Sequence, residues 1–247
     1  MSRDLNNATS TEGLRDNSIK RGILYGVSTG PGDPELMTMK AVKCLEHVSV
    51  IAAPRTRGVN SMALDIVKGC VDVSDKEICF LDFAMKKDED ILNTTHDEQA
   101  RQIEQYLLAG RDVAMLNIGD ASMFGTFCYI RDIVRRDGFE TITIPGVTSF
   151  SACAALLGQS LTTMGEVMTV IPGSFDNVSE ELDRTGSKVL MKSGSSLPEV
   201  KKLIAEKGLV EKTSMVVNCG LENERVYKDI TQSGDDEGYF VTILVEG

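Results

Sequence analysis

Residues 22–57 read GILYGVSTGPGDPELMTMKAVKCLEHVSVIAAPRTR, and this stretch decides the fold. Ile23, Leu24, Tyr25 and Val27 form a short apolar run that breaks into Ser-Thr-Gly-Pro-Gly-Asp-Pro. Leu36, Met39, Lys40, Val42 and Lys43 then take up helical spacing. A strand, a loop and a helix are expected in that order. Gly30 and Gly32 have no Cβ, so a ligand can approach their backbone, while Pro31 and Pro34 hold the loop in extended or turn geometry. The alternative is a tight strand-to-helix turn that touches no ligand. Neither phosphate motif fits: Gly26, Gly30 and Gly32 are four and two apart, no Lys-Ser/Thr follows as in a P-loop, and no Gly-x-Gly-x-x-Gly leads into the helix.

Outward from this unit the same pattern repeats. Residues 48–53 (VSVIAA) read as a second strand that Pro54 ends, leaving Arg55 and Arg57 on a loop at its carboxyl end. Residues 60–69 follow as a helix with Gly69 as its cap, and 77–83 (EICFLDF) as a strand. A charged loop at 86–90 and a helix near 97–109 come next. Residues 113–118 (VAMLNI) are almost continuously apolar, as a strand covered on both faces should be, and end in Gly119-Asp120-Ala121-Ser122. A helix through Tyr129, Ile130 and Val134 to Gly138 leads to a strand at 140–144 closed by Pro145-Gly146. Thr148 or Ser149 is expected to cap a short helix that Gly158 ends.

The repeated strand-loop-helix order calls for an α/β fold with a mostly parallel open sheet in the N-terminal domain. Beyond it, strands at 167–171, 188–191, 213–219, 225–227 and 240–245, with helices through Glu181 and over 198–207, suggest a second domain with a mixed sheet. The division is a lead-in over 1–21, an α/β domain over 22–146 and an α+β domain over 147–247. The lead-in is polar and expected to be disordered.

The chain has 247 residues, 42% of them hydrophobic, enough for a sizeable core. With 26 basic and 37 acidic residues it carries a net charge of −11, which argues against broad nucleic-acid binding. Six cysteines, at 44, 70, 79, 128, 153 and 219, form no Cys-x-x-Cys pair and mostly sit in apolar runs, as small core residues do. They are read as reduced, in a cytoplasmic protein. His47 and His96 are the only histidines and match no metal-ligand spacing, so they read as ordinary helix residues. No apolar run reaches the roughly 18 residues of a membrane span.

With these pieces placed, the chain resembles the tetrapyrrole methylases, the S-adenosylmethionine-dependent enzymes of corrin and sirohaem synthesis. GVSTGPGDPELMTMKAVKCL at 26–45, NIGDASMFGTFCYI at 117–130 and IPGVTSFSACAALLG at 144–158 carry the likeness. Within the family the chain looks most like the branch that methylates C20 of precorrin-2 or cobalt-precorrin-2. The resemblance implies two α/β domains with the cofactor folded into the cleft between them, in a homodimer. Carried over by position, S-adenosylmethionine would touch Pro31, Gly119, Asp120, Ala121, Met123, Phe124, Thr148, Ser149, Phe150, Met191, Asn218 and Cys219. One departure stands out: Gly-Asp-Ala replaces the family's common Gly-Asp-Pro, which should leave the loop at Ala121 less rigid.

Methyl transfer from a sulfonium is an in-line displacement that asks mainly for alignment and exclusion of water, which suits a chain poor in histidine. A polycarboxylate tetrapyrrole needs cations at the cleft. Arg55 and Arg57 are the first candidates and Lys192 a weaker one, each set against a merely solvated side chain. Arg135 and Arg136 read as a solvated helix end. Asp120 either meets the cofactor's ammonium or orders its own loop as an Asx-turn. Tyr129 either positions substrate and assists proton loss or simply packs in its helix, and Met191 is core unless adenine lies against it. Other ring positions, other substrates of the family and a non-catalytic adenosyl-binding regulator are the competing functions.

Overall fold

The computed structural model describes residues 20–56, 60–83, 89–174 and 176–247. Most of the expected lead-in and Arg57 lie outside the described residues, as does most of the charged loop at 86–90. In the first half β1 (Leu24–Ser28), α1 (Met39–His47), β2 (Val50–Thr56), α2 (Met62–Lys68) and β3 (Glu77–Phe83) are followed by α3 (Glu89–Leu108), β4 (Val113–Asn117), α4 (Phe127–Arg136) and β5 (Thr141–Ile144). The five strands pair in parallel in the order β3-β2-β4-β1-β5. Alternate residues of β4 serve opposite faces. Val113 and Met115 pack with Ile103, Leu107 and Ile130 from α3 and α4, while Ala114 and Leu116 pack with Leu45 and Val67 from α1 and α2. That alternation on a fully buried strand is what a sheet covered on both faces requires.

The order of the strands positions the site. β1 and β4 are neighbours at the sheet centre, yet β1 continues into α1 on one face and β4 into α4 on the other. Their carboxyl ends therefore part to opposite sides, the place where open α/β sheets form a ligand crevice.

The second half comprises α5 (Ser149–Leu157), β6 (Met168–Pro172), α6 (Val178–Asp183), β7 (Ser187–Met191), α7 (Leu197–Glu206), β8 (Thr213–Val217), β9 (Arg225–Tyr227) and β10 (Val241–Val245). Its sheet runs β6-β7-β10-β8-β9. β6 is parallel to β7; β10 is antiparallel to both neighbours, and β8 to β9. α6 and α7 cover one face; α5 covers the other through Phe150, Cys153 and Leu157 against Val189, Val216 and Leu244.

Several expectations need correction. Pro54 does not end the second strand, which runs to Thr56. β2 pairs with β4 only as far as Ala52, and beyond that point it has β3 alone as a partner. A proline's missing N–H is tolerated on such an open side. Arg55 thus stands in the strand rather than on a loop. α3 begins at Glu89, well before 97, and the buried residues in its first described turns include the polar His96 and Gln99, each 8% exposed, which an apolar pattern does not reveal. Of the six cysteines only Cys79 and Cys153 are buried; Cys70 is exposed and the others are half-buried, all with free thiols. Among the described residues no helix is long and apolar enough to cross a membrane.

Candidate functional site

β1 sits between β4 and β5, so its last residue meets the loops that follow both. Ser28 is fully buried there: its hydroxyl donates to the Ile144 carbonyl at 2.7 Å and accepts the Ala121 N–H at 2.9 Å. Gly30 and Gly119, both at φ 73, exchange two backbone hydrogen bonds, Gly119 N–H to Gly30 O at 2.7 Å and the reverse at 3.3 Å. Only glycine adopts that backbone freely, so both positions are set by conformation. Asp120 completes the junction. One carboxylate oxygen accepts the Ser122 N–H at 2.8 Å and the Ser122 hydroxyl, and the other accepts the Gly146 N–H at 2.8 Å. The three glycine-bearing bends therefore converge on one point.

Asp120 takes the loop-ordering role of an Asx-turn with both of its oxygens. Burial acts to raise its pKa, but the donors from Ser122 and Gly146 outweigh it and hold the carboxyl below the usual carboxylate range. At Ala121, where the family commonly has proline, the loop gains a donor. An alanine keeps the N–H that a proline would lack, and here Ser28 takes it up.

The bends open onto a cleft of about 650 Å³ between the two lobes, within the range of small-molecule sites. Pro31, Gly119, Asp120, Met123 and Phe124 form its first-lobe side, Met191, Lys192 and Cys219 its second, with Thr148 and Ser149 at the junction and Arg55 at the rim. At one end the lobes touch backbone to backbone. A Cβ at Gly32 would lie 2.4 Å from the Cys219 carbonyl oxygen, and one at Gly220 2.5 Å from Asp33 N. Elsewhere Lys192 Nζ donates to the Phe124 carbonyl at 2.9 Å, across the gap.

Four nominated residues do not line the cleft. Ala121 is fully buried beneath its loop, and Phe150 packs into the core under α5. Asn218 holds the chain at φ 53 while its N–H donates to Phe240 O at 2.9 Å. Tyr129 lies 62% exposed on α4, stacked on His96 with ring centroids 4.9 Å apart and planes 6° from parallel. It does not line the cleft. Arg57 lies outside the described residues. Thr148 occupies the N-cap position of α5 without a side-chain capping bond; its hydroxyl instead meets Ser151 Oγ at 2.8 Å, and Ser149 Oγ lies 3.4 Å from Thr242 Oγ1.

Asn117, Thr126, Tyr239 and Thr242 also line the cleft and escaped the sequence analysis. Thr242 carried a signal: it is the polar residue in the otherwise apolar strand Val-Thr-Ile-Leu-Val. Asn117 closes β4, and its side-chain amide donates to Ile118 O at 2.9 Å, bracing the turn into Gly119.

The two cations present differ. Arg55 forms a bidentate pair with Asp82 at 2.7 and 2.9 Å and covers the Phe80 ring, and the pairing holds the Asp82 carboxyl below its usual range. Lys192 donates to a carbonyl, and burial alone pushes its ammonium pKa down. Cys153 is raised by its hydrogen bond with Cys219 and by burial, so it is an unreactive thiol. Neither histidine lines the cleft. Among the described residues no group of three or more His, Cys, Asp and Glu could hold a metal ion. Such a cleft can grip, orient and desolvate a small molecule; among the described residues it offers backbone groups, hydroxyls, the Cys219 thiol and two cations.

A family model described as Tetrapyrrole (Corrin/Porphyrin) Methylases matches residues 23–232. The chain is 30% identical over 235 residues to a precorrin-2 C(20)-methyltransferase of Sinorhizobium sp, covering 92% of this chain and 96% of that one. It is 31% identical over 229 residues to a cobalt-precorrin-2 C(20)-methyltransferase of Salmonella typhimurium, covering 91% and 96%. In fold it is similar to a uroporphyrin-III C-methyltransferase from Thermus thermophilus complexed with S-adenyl homocysteine. That match has a TM-score of 0.65 at 22% identity, over 90% of this chain and 92% of that one.

Proposed function

We propose, from the premise that this chain belongs to the tetrapyrrole methylase family, that it transfers the methyl group of S-adenosylmethionine to C20 of precorrin-2 or cobalt-precorrin-2. The observation that carries this is the convergence of the three bends at Ser28 on a cleft of about 650 Å³ between the lobes. The names of two relatives that match over nine-tenths of the chain support the ring position.

The cleft fits the cofactor by its chemistry. Pro31, Met123, Phe124 and Met191 offer apolar surface to an adenosine, and Gly119 has open space where a side chain would stand, so a ligand can reach its backbone. When bound, S-adenosylmethionine supplies an electrophilic methyl group on a sulfonium. The chain's own task is to hold the bends rigid through Ser28 and Asp120, keep water out of the cleft, and place cations for an acidic substrate. A homodimer, carried over from the family resemblance, and a cytoplasmic location, read from the unpaired cysteines, complete the proposal; sedimentation of the purified protein tests the first.

Purified protein with methyl-labelled S-adenosylmethionine should label metal-free or cobalt-loaded precorrin-2, and side-by-side turnover assigns the preferred form. Binding of the donor without label reaching either tetrapyrrole would defeat the proposal and favour an adenosyl-binding regulator.

A further inference from the structure

Among the described residues, Phe124, Lys192 and Asn218 are the non-glycine positions at positive φ, at 51, 56 and 53. Side chains rarely adopt this backbone, and where they do the strain tends to mark a working part of the molecule. Two of the three touch each other from opposite lobes: Lys192 Nζ donates to the Phe124 carbonyl at 2.9 Å and lies 5.9 Å from the Phe124 ring centroid. Among the described residues no carboxylate forms an ion pair with this ammonium, although the chain holds 37 acidic residues. Arg55, at the rim of the same cleft, already has its anion in Asp82. The Lys192 side chain is exposed in the cleft, and its ammonium has a carbonyl and a ring face beside it and no counter-charge.

We propose that Lys192 selects an anionic guest for this cleft: a carboxylate at the edge of the guest displaces the Phe124 carbonyl from Nζ, exchanging the tie between the lobes for an ion pair. The identification of the guest as a polycarboxylate macrocycle rests on the function proposed above. The exchange breaks the ammonium–carbonyl hydrogen bond and forms an ammonium–carboxylate ion pair, with no proton transferred.

Equilibrium binding of uroporphyrin, a flat octacarboxylate, without methyl donor tests this apart from turnover. Lys192→Met should weaken uroporphyrin binding by about tenfold or more, most at low salt, and Lys192→Arg should largely restore it. Affinity for a cationic porphyrin of similar size, affinity for S-adenosylhomocysteine and the melting temperature should stay near wild type. In the wild-type protein, uroporphyrin should protect Lys192 from an amine-acylating reagent, read by mass spectrometry, and the cationic porphyrin should not. That measurement decides the matter if the Met variant fails to fold. The proposal is overturned by a change under twofold, by equal losses for both porphyrins, by absent protection, or by no uroporphyrin binding in the wild type. Lys192-dependent binding without methyl transfer to precorrin-2 would instead sink the methyltransferase function and leave the anchor standing.

Discussion

The Ala121 amide donates to the hydroxyl of Ser28, 93 positions away in the chain, and that hydroxyl passes the bond on to the Ile144 carbonyl. One small buried side chain thereby couples the ends of three strands. Ser28→Ala leaves an amide and a carbonyl unpaired in a dry interior, a cost of about 1–3 kcal/mol. The expected result is a lower denaturation midpoint and a weaker affinity for S-adenosylhomocysteine, measured by chemical unfolding and calorimetry.

Asp120 predicts a pH dependence. Its folded-state pKa lies below the unfolded value near 3.9, so its stabilisation is present at neutral pH and disappears as pH falls through the folded value. The stability gap between wild type and Asp120→Asn should therefore be widest near pH 7 and shrink below about pH 4. A gap that is flat across that range would show that the charge plays no part in tying Ser122 to Gly146.

Gly32 faces the second lobe with no room for a methyl group, and the obstacle is backbone, which cannot swing aside. Gly32→Ala should cost about 1–3 kcal/mol by overpacking and push the lobes apart. Loss of donor-product affinity beyond what the melting shift explains is the expected sign, and unchanged affinity would mean that the lobes are free to shift.

Arg55→Ala is expected to raise KM for the tetrapyrrole several-fold while affinity for the cofactor is largely kept. Removing Arg55 also releases the Asp82 carboxylate at the rim, where it repels an acidic guest. The double variant Arg55→Ala, Asp82→Ala should recover part of the loss, more at low salt than at high. Kinetics of all three proteins at two ionic strengths check this, and equal loss of cofactor and substrate binding would refute the role.

Much of the fold was legible because its signals are local. Apolar runs broken by glycine and proline located nearly every strand, and the unbroken apolar stretch in β4 announced a sheet covered on both faces. The failures have physical causes. Pro54 lies within a strand because the sheet leaves it unpaired on one side, a fact of topology and not of sequence. The start of α3 was hidden because His96 and Gln99 point inward. In the site, motif position identified the bends but not which residues face the cleft: Ala121 and Phe150 belong to the right segments and turn into the protein, while Thr242, in β10, and Tyr239, just before it, come from a segment no motif reached. A sequence shows that Arg55 is basic and cannot show that Asp82 stands opposite it on the adjacent strand.

The meeting of Gly32 and Gly220 has a bearing on how such a chain can change over generations. Where two peptide backbones abut, no side-chain replacement can narrow the gap, and almost any will pry it open, so that end of the opening has a fixed gauge. Accommodation of guests of different breadth is left to the rest of the lining, which includes the exposed rings of Phe124 and Tyr239. Divergence in what is methylated should accordingly gather there.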